Sequence, residues 1–200
     1  METKDERYAR RLVKLERVWW KRLLDVQAPY RWNLGRLHLG RVLDVGCGIG
    51  RNLRSLEPGS VGVDHNEHCV KRVLEQGLTA FLPEDFLRSA FAKHEGFDSL
   101  LFSHVLEHLS AHDGAELLKT YLPFVKRGGR VVFITPQQRG FGSDATHVRF
   151  VGFEELAELA HEVGLTITRQ YSFPLPQWFG RVFKYNEHVM VGTRESRSSG

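Results

Sequence analysis

Three glycines at alternate positions mark the first candidate site, in the segment Asp44–Gly50 (DVGCGIG). Glycines at this spacing let the backbone turn tightly and let a ligand approach main-chain atoms without a Cβ in the way. A dinucleotide fingerprint needs its third glycine one place later, where this chain has Arg51. The acid at Asp44 suits a ligand with a positive charge better than a diphosphate. The segment therefore predicts a nucleotide-like ligand that carries a cationic group.

Two further acids follow short apolar stretches, at Asp64 and Asp85. A carboxylate at Asp64 can accept both hydroxyls of a ribose. Asp85 suits the exocyclic amine of an adenine, and the neighbouring Phe86 suits its ring. The alternative is that both acids are solvated strand ends, because acids are common in loops.

Two histidines are candidates for a proton-transfer step, because histidine titrates near neutral pH. His104 directly follows the fourth apolar stretch, and His147 lies in a long polar loop over residues 135–150. Loops of about this length often act as lids over a site. The sequence favours His147 over His104 as a base or substrate contact. The alternative is that His147 only hydrogen-bonds the loop and shapes the pocket.

The elements that must position these residues alternate between strands and helices from Arg41 onward. The predicted strands are Arg41–Val45, Ser60–Asp64, Thr79–Leu82, Phe97–Phe102, Gly129–Thr135, Leu165–Tyr171 and His188–Gly192. The predicted helices are Arg51–Leu56, Glu67–Gln76, Phe86–Ala92, Asp113–Val125 and Phe153–Val163. This alternation predicts a largely parallel sheet with helices on both faces. Ligands of such sheets bind beyond the carboxyl ends of the strands, where the candidate residues lie.

The N-terminal segment carries the basic character of the chain. Residues 1–36 contain 10 Lys and Arg against 5 Asp and Glu, whereas the whole chain has a net charge of +4. Their apolar residues recur at helical spacing, which predicts an amphipathic helix with one apolar face: Tyr8, Leu12, Leu15, Trp19 and Leu23. We expect a helical extension or lid over residues 1–40, a main domain over 41–193 and a disordered tail over 194–200.

The ordered set of strand-end motifs in residues 41–192 resembles the class I S-adenosylmethionine-dependent methyltransferases, of the small-molecule and sugar type. The resemblance implies a Rossmann-like, seven-stranded α/β sheet whose last strand runs antiparallel. It implies that S-adenosylmethionine is the cofactor and that a small molecule is the methyl acceptor. The donor-binding residues that it implies are Asp44, Gly46, Cys47, Gly48, Asp64, His65, Asp85, Phe86, Ser103 and His104. We add Arg31 as a candidate partner of the donor carboxylate.

No metal site is expected. The strand-end segment Ser103–His108 resembles that of metal-using members of the class, and Glu107 and His108 match the positions of possible metal ligands. However, Ser103 stands where a further acid would be needed. Ser110 and Asp113 form a capping pair, which predicts that a helix starts after His108. His104, His108 and His112 are spaced by four residues, but with this helix start they would not share one helix face.

Other functions and locations are less well supported by the sequence. A nucleic-acid methyltransferase would carry an Asn/Asp-Pro-Pro-aromatic segment where this chain has Ser103–Leu106. A protein methyltransferase and a binding protein that has lost catalysis stay open as alternatives. The two cysteines cannot build a disulfide framework, which predicts a cytoplasmic protein. No span is expected, although the basic N-terminal helix allows peripheral membrane contact.

Overall fold

The computed structural model describes residues 27–195. In that range the strands are β1 (Val42–Val45), β2 (Val61–Val63), β3 (Ala80–Phe81), β4 (Phe97–Ser103), β5 (Val125–Pro136), β6 (Leu165–Phe173) and β7 (Glu187–Arg194). The α-helices there are α1 (Ala28–Gly35), α2 (Glu67–Leu74), α3 (Pro83–Arg88), α4 (Ala111–Tyr121), α5 (Gln138–Phe141) and α6 (Phe153–Glu162). Single turns of 3-10 helix lie at Leu53–Ser55, Leu106–His108, Leu122–Phe124 and Gln177–Arg181.

The seven strands belong to one sheet in the order β3-β2-β1-β4-β5-β7-β6. The pairs β1–β2, β2–β3 and β4–β5 are parallel. The last strand, β7, is antiparallel to both β5 and β6. This order confirms the predicted Rossmann-like sheet, which is mostly parallel and ends in an antiparallel strand.

The described residues divide into two compact units, the first ending at Ala92 and the second beginning at Lys93. In the first, all residues of β1 and β2 are buried, as expected for parallel strands covered on both faces. Asn66 caps α2, since its side-chain oxygen accepts the N–H groups of His68 and Cys69 at 3.0 and 3.3 Å. The cap fixes the start of α2 close to the end of β2.

In the second unit, β4 and β5 form the buried centre. The rings of Phe102 and Phe133 are stacked there, with centroids 5.8 Å apart, and neither ring is exposed. The hydroxyl oxygen of Ser110 accepts the N–H of Asp113 at 3.1 Å. Ser110 is the N-cap of α4, which begins at Ala111. The predicted capping pair is therefore confirmed, and the chain leaves β4 through a turn, Leu106–His108, before α4 begins.

The boundaries of several elements differ from those predicted. Strand β5 begins at Val125, before the predicted Gly129, because Val125 pairs with Phe97 ahead of a register shift. Strand β7 continues to Arg194, into the segment predicted as a tail. The predicted helix over residues 8–23 lies outside the described residues. Within the described part of the chain, no helix has the length and apolar character that crossing a membrane requires.

His188 in β7 makes the stability of the fold sensitive to acid. The residue is 1% exposed, and its ring packs edge-on against Phe153 with centroids 4.6 Å apart. Burial lowers its pKa from 6.5 to about 4, although the charge of Glu155 opposes the shift. Below the ordinary pKa the unfolded chain takes up a proton that the folded chain does not. The free energy of unfolding therefore falls as the pH drops through this window.

The expected contribution of His188 is a loss of about 2 kcal/mol between about pH 7.5 and about pH 5. Urea denaturation of wild type and of His188→Phe at the two pH values measures it, because phenylalanine keeps the aromatic packing and cannot be protonated. His161→Gln, a change at an exposed histidine, should keep the wild-type pH dependence. An equal change in the free energy of unfolding between the two pH values for wild type and His188→Phe would contradict the assignment.

Candidate active site

The glycine-rich loop after β1 folds back over the end of β2. Gly46, Gly48 and Gly50 have φ angles of 77°, 53° and 78°, which residues with a side chain rarely adopt. The N–H groups of Gly46 and Cys47 both donate to the carbonyl of Val63, at 2.7 and 3.1 Å. The glycines are therefore needed for the turn itself, which brings main-chain groups to the strand ends.

Cys47 is a packing residue of this loop. It is 7% exposed and belongs to the core cluster that includes Leu53 and Val70. A Cβ placed on Gly62 of β2 would lie 2.6 Å from its Sγ, so the loop fits closely over a strand residue that has no side chain. Burial, followed by the charge of Asp44, raises the pKa of the thiol. Cys47 is therefore held as an uncharged thiol, as expected for a small residue rather than a nucleophile.

Asp64 joins the glycine loop to the start of α2. Its Oδ2 accepts the N–H of Gly48 at 2.8 Å, and its Oδ1 accepts the N–H of Asn66 at 2.9 Å. Both oxygens keep further acceptor capacity, because each carboxylate oxygen has two lone pairs. Burial raises the pKa of this carboxyl, while the two N–H donors oppose the shift. Nδ1 of the neighbouring His65 lies 3.9 Å from Oδ1 of Asp64, and the side chain of His65 is about half exposed.

Asp44 is a buried carboxyl in need of a partner. It is 0% exposed, and within residues 27–195 neither of its oxygens has a well-formed hydrogen bond. Burial, then the charge of Asp64, raises its pKa to about 7, and the side chain of Asn52 only partly opposes this. A cationic ligand beside Asp44 would stabilise its ionised form. This orphaned carboxyl fits the ammonium or sulfonium of S-adenosylmethionine.

The structure corrects the prediction for the adenine ring at Phe86. Phe86 is 0% exposed and packs against Phe81, with ring centroids 6.4 Å apart. Its ring belongs to the core and offers no face to a ligand. Asp85 lies in the first turn of α3, where Arg88 pairs with it at 3.1 Å and more than half of its side chain is exposed. Arg31 lies on an exposed part of α1.

Ser103 and His104 stand at the end of β4, as predicted. Ser103 pairs with Ile134 of β5, and the N–H of His104 donates to the Ile134 carbonyl at 2.9 Å. His104 has a φ of 58°, which turns the chain away from the sheet. Ser103 and His104 therefore keep β4 in register with β5 up to the point where the chain leaves the strand.

His104 is held between two carboxylates. Its Nδ1 lies 3.2 Å from Glu107 Oε1 and its Nε2 lies 2.9 Å from Glu187 Oε1. Desolvation lowers the pKa of His104, but the hydrogen bonds and charges of Glu107 and Glu187 together raise it to about 10. With both ring nitrogens donating, His104 has no lone pair for an acceptor proton. This arrangement does not favour His104 as a base, and its predicted contact with the donor stays a prediction.

His147 is joined by a second histidine, His108. The Nδ1 of His147 bonds to the Phe141 carbonyl at 2.8 Å, and the Nδ1 of His108 bonds to the Thr146 carbonyl at 3.1 Å. The two rings meet edge-on with centroids 4.9 Å apart. Sequence reasoning selected His147 but missed its pairing with His108, because the two residues are far apart in the chain.

Glu107 ties the loop to this pair. Its carbonyl accepts the N–H groups of Val148 and Arg149 at 2.7 and 3.2 Å, which holds the loop against the turn after β4. Its carboxylate is 0% exposed, and Oε2 has no hydrogen-bond partner among the described residues. The arrangement therefore combines a buried carboxylate with two oriented imidazoles.

Several known proteins share this architecture. A TehB-like S-adenosylmethionine-dependent methyltransferase from Corynebacterium glutamicum has a TM-score of 0.65 at 17% identity, covering 96% of this chain and 100% of that one. A methyltransferase from Archaeoglobus fulgidus has a TM-score of 0.60 at 22% identity, covering 82% of this chain and 93% of that one. Magnesium protoporphyrin IX methyltransferase from Synechocystis, with bound S-adenosylmethionine, has a TM-score of 0.56 at 16% identity, covering 82% of this chain and 75% of that one. No curated protein matches the chain.

The sheet order, with its antiparallel last strand, and the glycine loop that Asp64 holds define the class of Rossmann-like methyltransferases. The family model described as a methyltransferase domain matches residues 14–170, most of the chain. The chain belongs to this family and is an S-adenosylmethionine-dependent methyltransferase.

Proposed function

We propose that this enzyme methylates a hydroxyl oxygen of a small molecule, such as a sugar, a glycolipid or a secondary metabolite. S-adenosylmethionine supplies the electrophilic methyl group, and its sulfonium is already a good leaving group. The protein's task is to hold the acceptor oxygen in line with that group and to accept the hydroxyl proton. The magnesium protoporphyrin IX methyltransferase with this fold also acts on a small molecule.

The donor is assigned to the loops after β1, β2 and β3. Asp64 would accept the ribose hydroxyls, because its carboxylate is already oriented by two N–H donors. Asp44 would face the positive charge of the methionine end, which explains why a buried carboxyl is left unpaired. The remaining donor contacts proposed are Arg31, Gly46, Cys47, Gly48, His65, Asp85 and Ser103.

The acceptor is assigned to the loop that carries His147. The observation behind this assignment is the hydrogen bond from Nδ1 of His147 to the Phe141 carbonyl at 2.8 Å. That bond fixes the proton on Nδ1 and leaves Nε2 with a free lone pair. We propose that Nε2 accepts the hydrogen bond of the acceptor hydroxyl and takes its proton as the new carbon–oxygen bond forms.

Transfer of a radioactive methyl group tests the acceptor class. The enzyme and methyl-labelled S-adenosylmethionine are incubated with panels of hydroxylated small molecules, amines, bulk RNA and a protein extract. We expect label in the hydroxyl panel, with products that resist mild base as ethers do. Label confined to RNA, protein or amines would overturn the proposal. Binding of S-adenosylhomocysteine without transfer to any panel would favour a protein that has lost catalysis.

A further inference from the structure

Glu107, His108 and His147 come together in the unit that begins at Lys93. Each offers one ligand atom, and the three atoms all lie within 4.8 Å of one another. Ligands of a tetrahedral zinc ion, at distances of about 2.0–2.1 Å, stand roughly 3.3 Å apart. Ligand atoms at the largest separation in the cluster would therefore have to approach by about 1.5 Å to bind one zinc ion.

The hydrogen bonds behind the histidines are those that metal ligands usually have. A metal-ligating histidine generally donates its second ring N–H to a backbone carbonyl or a carboxylate, which fixes the tautomer and the ring orientation. His108 and His147 both make such a bond through Nδ1, to the carbonyls of Thr146 and Phe141 at 3.1 and 2.8 Å. The Nε2 atoms therefore keep the lone pairs that can bind a cation.

Glu107 supplies the negative charge. One of its oxygens, Oε1, contacts Nδ1 of His104 at 3.2 Å, whereas Oε2 has no partner within the described residues although the side chain is 0% exposed. A buried carboxylate oxygen without a partner is costly and calls for a ligand. A cation between Oε2 and the two imidazoles would satisfy it.

We propose that Glu107, His108 and His147 bind a divalent transition-metal ion, with zinc as the ion that the site suits best. Two imidazoles and one carboxylate are the ligands of several catalytic zinc sites, whereas magnesium and calcium prefer sites made only of oxygen. Three protein ligands leave a fourth position open for a water molecule or a hydroxyl group. This inference replaces the expectation of no metal, which lacked His147 as the third ligand.

The proposed metal site and the proposed acceptor chemistry both use Nε2 of His147, but metal binding itself does not depend on what the enzyme methylates. Only the consequence of the ion for the reaction rests on the proposed function. With an ion bound, Nε2 of His147 would be a ligand, and the ion would lower the pKa of a hydroxyl in the open position, whose proton would pass to solvent water. Without the ion, Nε2 is free to take the proton. The same side chains would thus serve the acceptor in either state.

Direct metal binding tests the proposal without reference to activity. The full chain is stripped of metal and titrated with Zn²⁺ against a chromophoric chelator, and separately with Co²⁺ to record its visible spectrum. We expect one equivalent of each ion and an intensified Co²⁺ spectrum, as in sites of low coordination number. His147→Ala and Glu107→Gln should each weaken Zn²⁺ binding by about 100-fold or more, since even second-shell changes cost 10–100-fold.

His161→Ala is the matched control, because His161 is exposed on α6 and lies outside the cluster. It should leave Zn²⁺ affinity unchanged, and binding of S-adenosylhomocysteine shows that each variant is folded. Equal Zn²⁺ affinity in wild type and His147→Ala, or an equal loss in His161→Ala, would overturn the metal site. Failure of methyl transfer to hydroxyls with Zn²⁺ binding intact would overturn only the proposed acceptor.

Discussion

Asp64→Asn is expected to weaken the binding of S-adenosylhomocysteine by about 100-fold or more. Each hydrogen bond to a charged group is worth about 1.5–3 kcal/mol, and the ribose would supply two of them. The substitution also places an amide NH₂ against one of the two N–H groups that Asp64 now binds, those of Gly48 and Asn66. The ligand contact and the loop geometry are therefore lost together. Isothermal titration calorimetry measures the change.

Glu75→Gln is the control for this substitution. Glu75 is a half-exposed carboxylate in the same unit, paired with Arg72 at 3.1 Å, and its loss should change affinity by less than about 2-fold. A thermal melt separates loss of binding from loss of fold. If folded Asp64→Asn binds S-adenosylhomocysteine as tightly as wild type, the ribose contact must lie elsewhere.

The donor half of the proposed site could be predicted from the sequence because its parts are local. Asp44 lies near the end of the buried strand β1 and Asp64 directly follows the buried strand β2, and in a parallel sheet such ends lie at one edge. The turn between Gly46 and Gly50 likewise needs only the backbone freedom of its own residues. The alternation of strands and helices predicted a largely parallel sheet, since crossovers between parallel strands permit few topologies. The antiparallel last strand was implied by the resemblance to the family and not by the alternation.

Side-chain direction was the part of the donor site that local pattern could not supply. Phe86 has a sequence position that suits a ligand, yet α3 turns its ring into the core against Phe81. A six-residue helix is too short for its apolar spacing to identify the buried face. The role of Asp85 in adenine binding stays a prediction.

The acceptor half depends on contacts between distant segments. His104 looked like a base beside a strand end, but Glu187 arrives from β7 and, with Glu107, occupies both of its ring nitrogens. The capping pair predicted correctly that His108 lies before α4, but it gave no sign that His108 meets His147 there. No local periodicity encodes either meeting. The first arises because β7 pairs with β5, which lies beside β4, and the second because the loop after β5 packs on the turn after β4.

His147→Gln is expected to lower kcat by about 100-fold or more on an accepted hydroxyl substrate, because a positioned base contributes roughly 10²–10⁴-fold. Glutamine keeps a donor for the Phe141 carbonyl, which now accepts from His147 at 2.8 Å, but its amide takes up no proton. The affinity for S-adenosylhomocysteine should stay within about 2-fold of wild type, since positioning and proton transfer are affected and not donor binding.

Rate measurements with labelled donor, made with added Zn²⁺ and after chelation, extend this test. If kcat of His147→Gln is lower than that of wild type when both are measured after chelation, Nε2 of His147 acts on the acceptor directly, since no ion is then present for it to bind. If kcat of the variant is lower than that of wild type only when Zn²⁺ is present, the role of His147 is to bind the metal. His161→Gln, at an exposed histidine of α6, should turn over like wild type in both conditions. Full turnover by His147→Gln in both would remove the histidine from the reaction and leave the loop with a purely structural role.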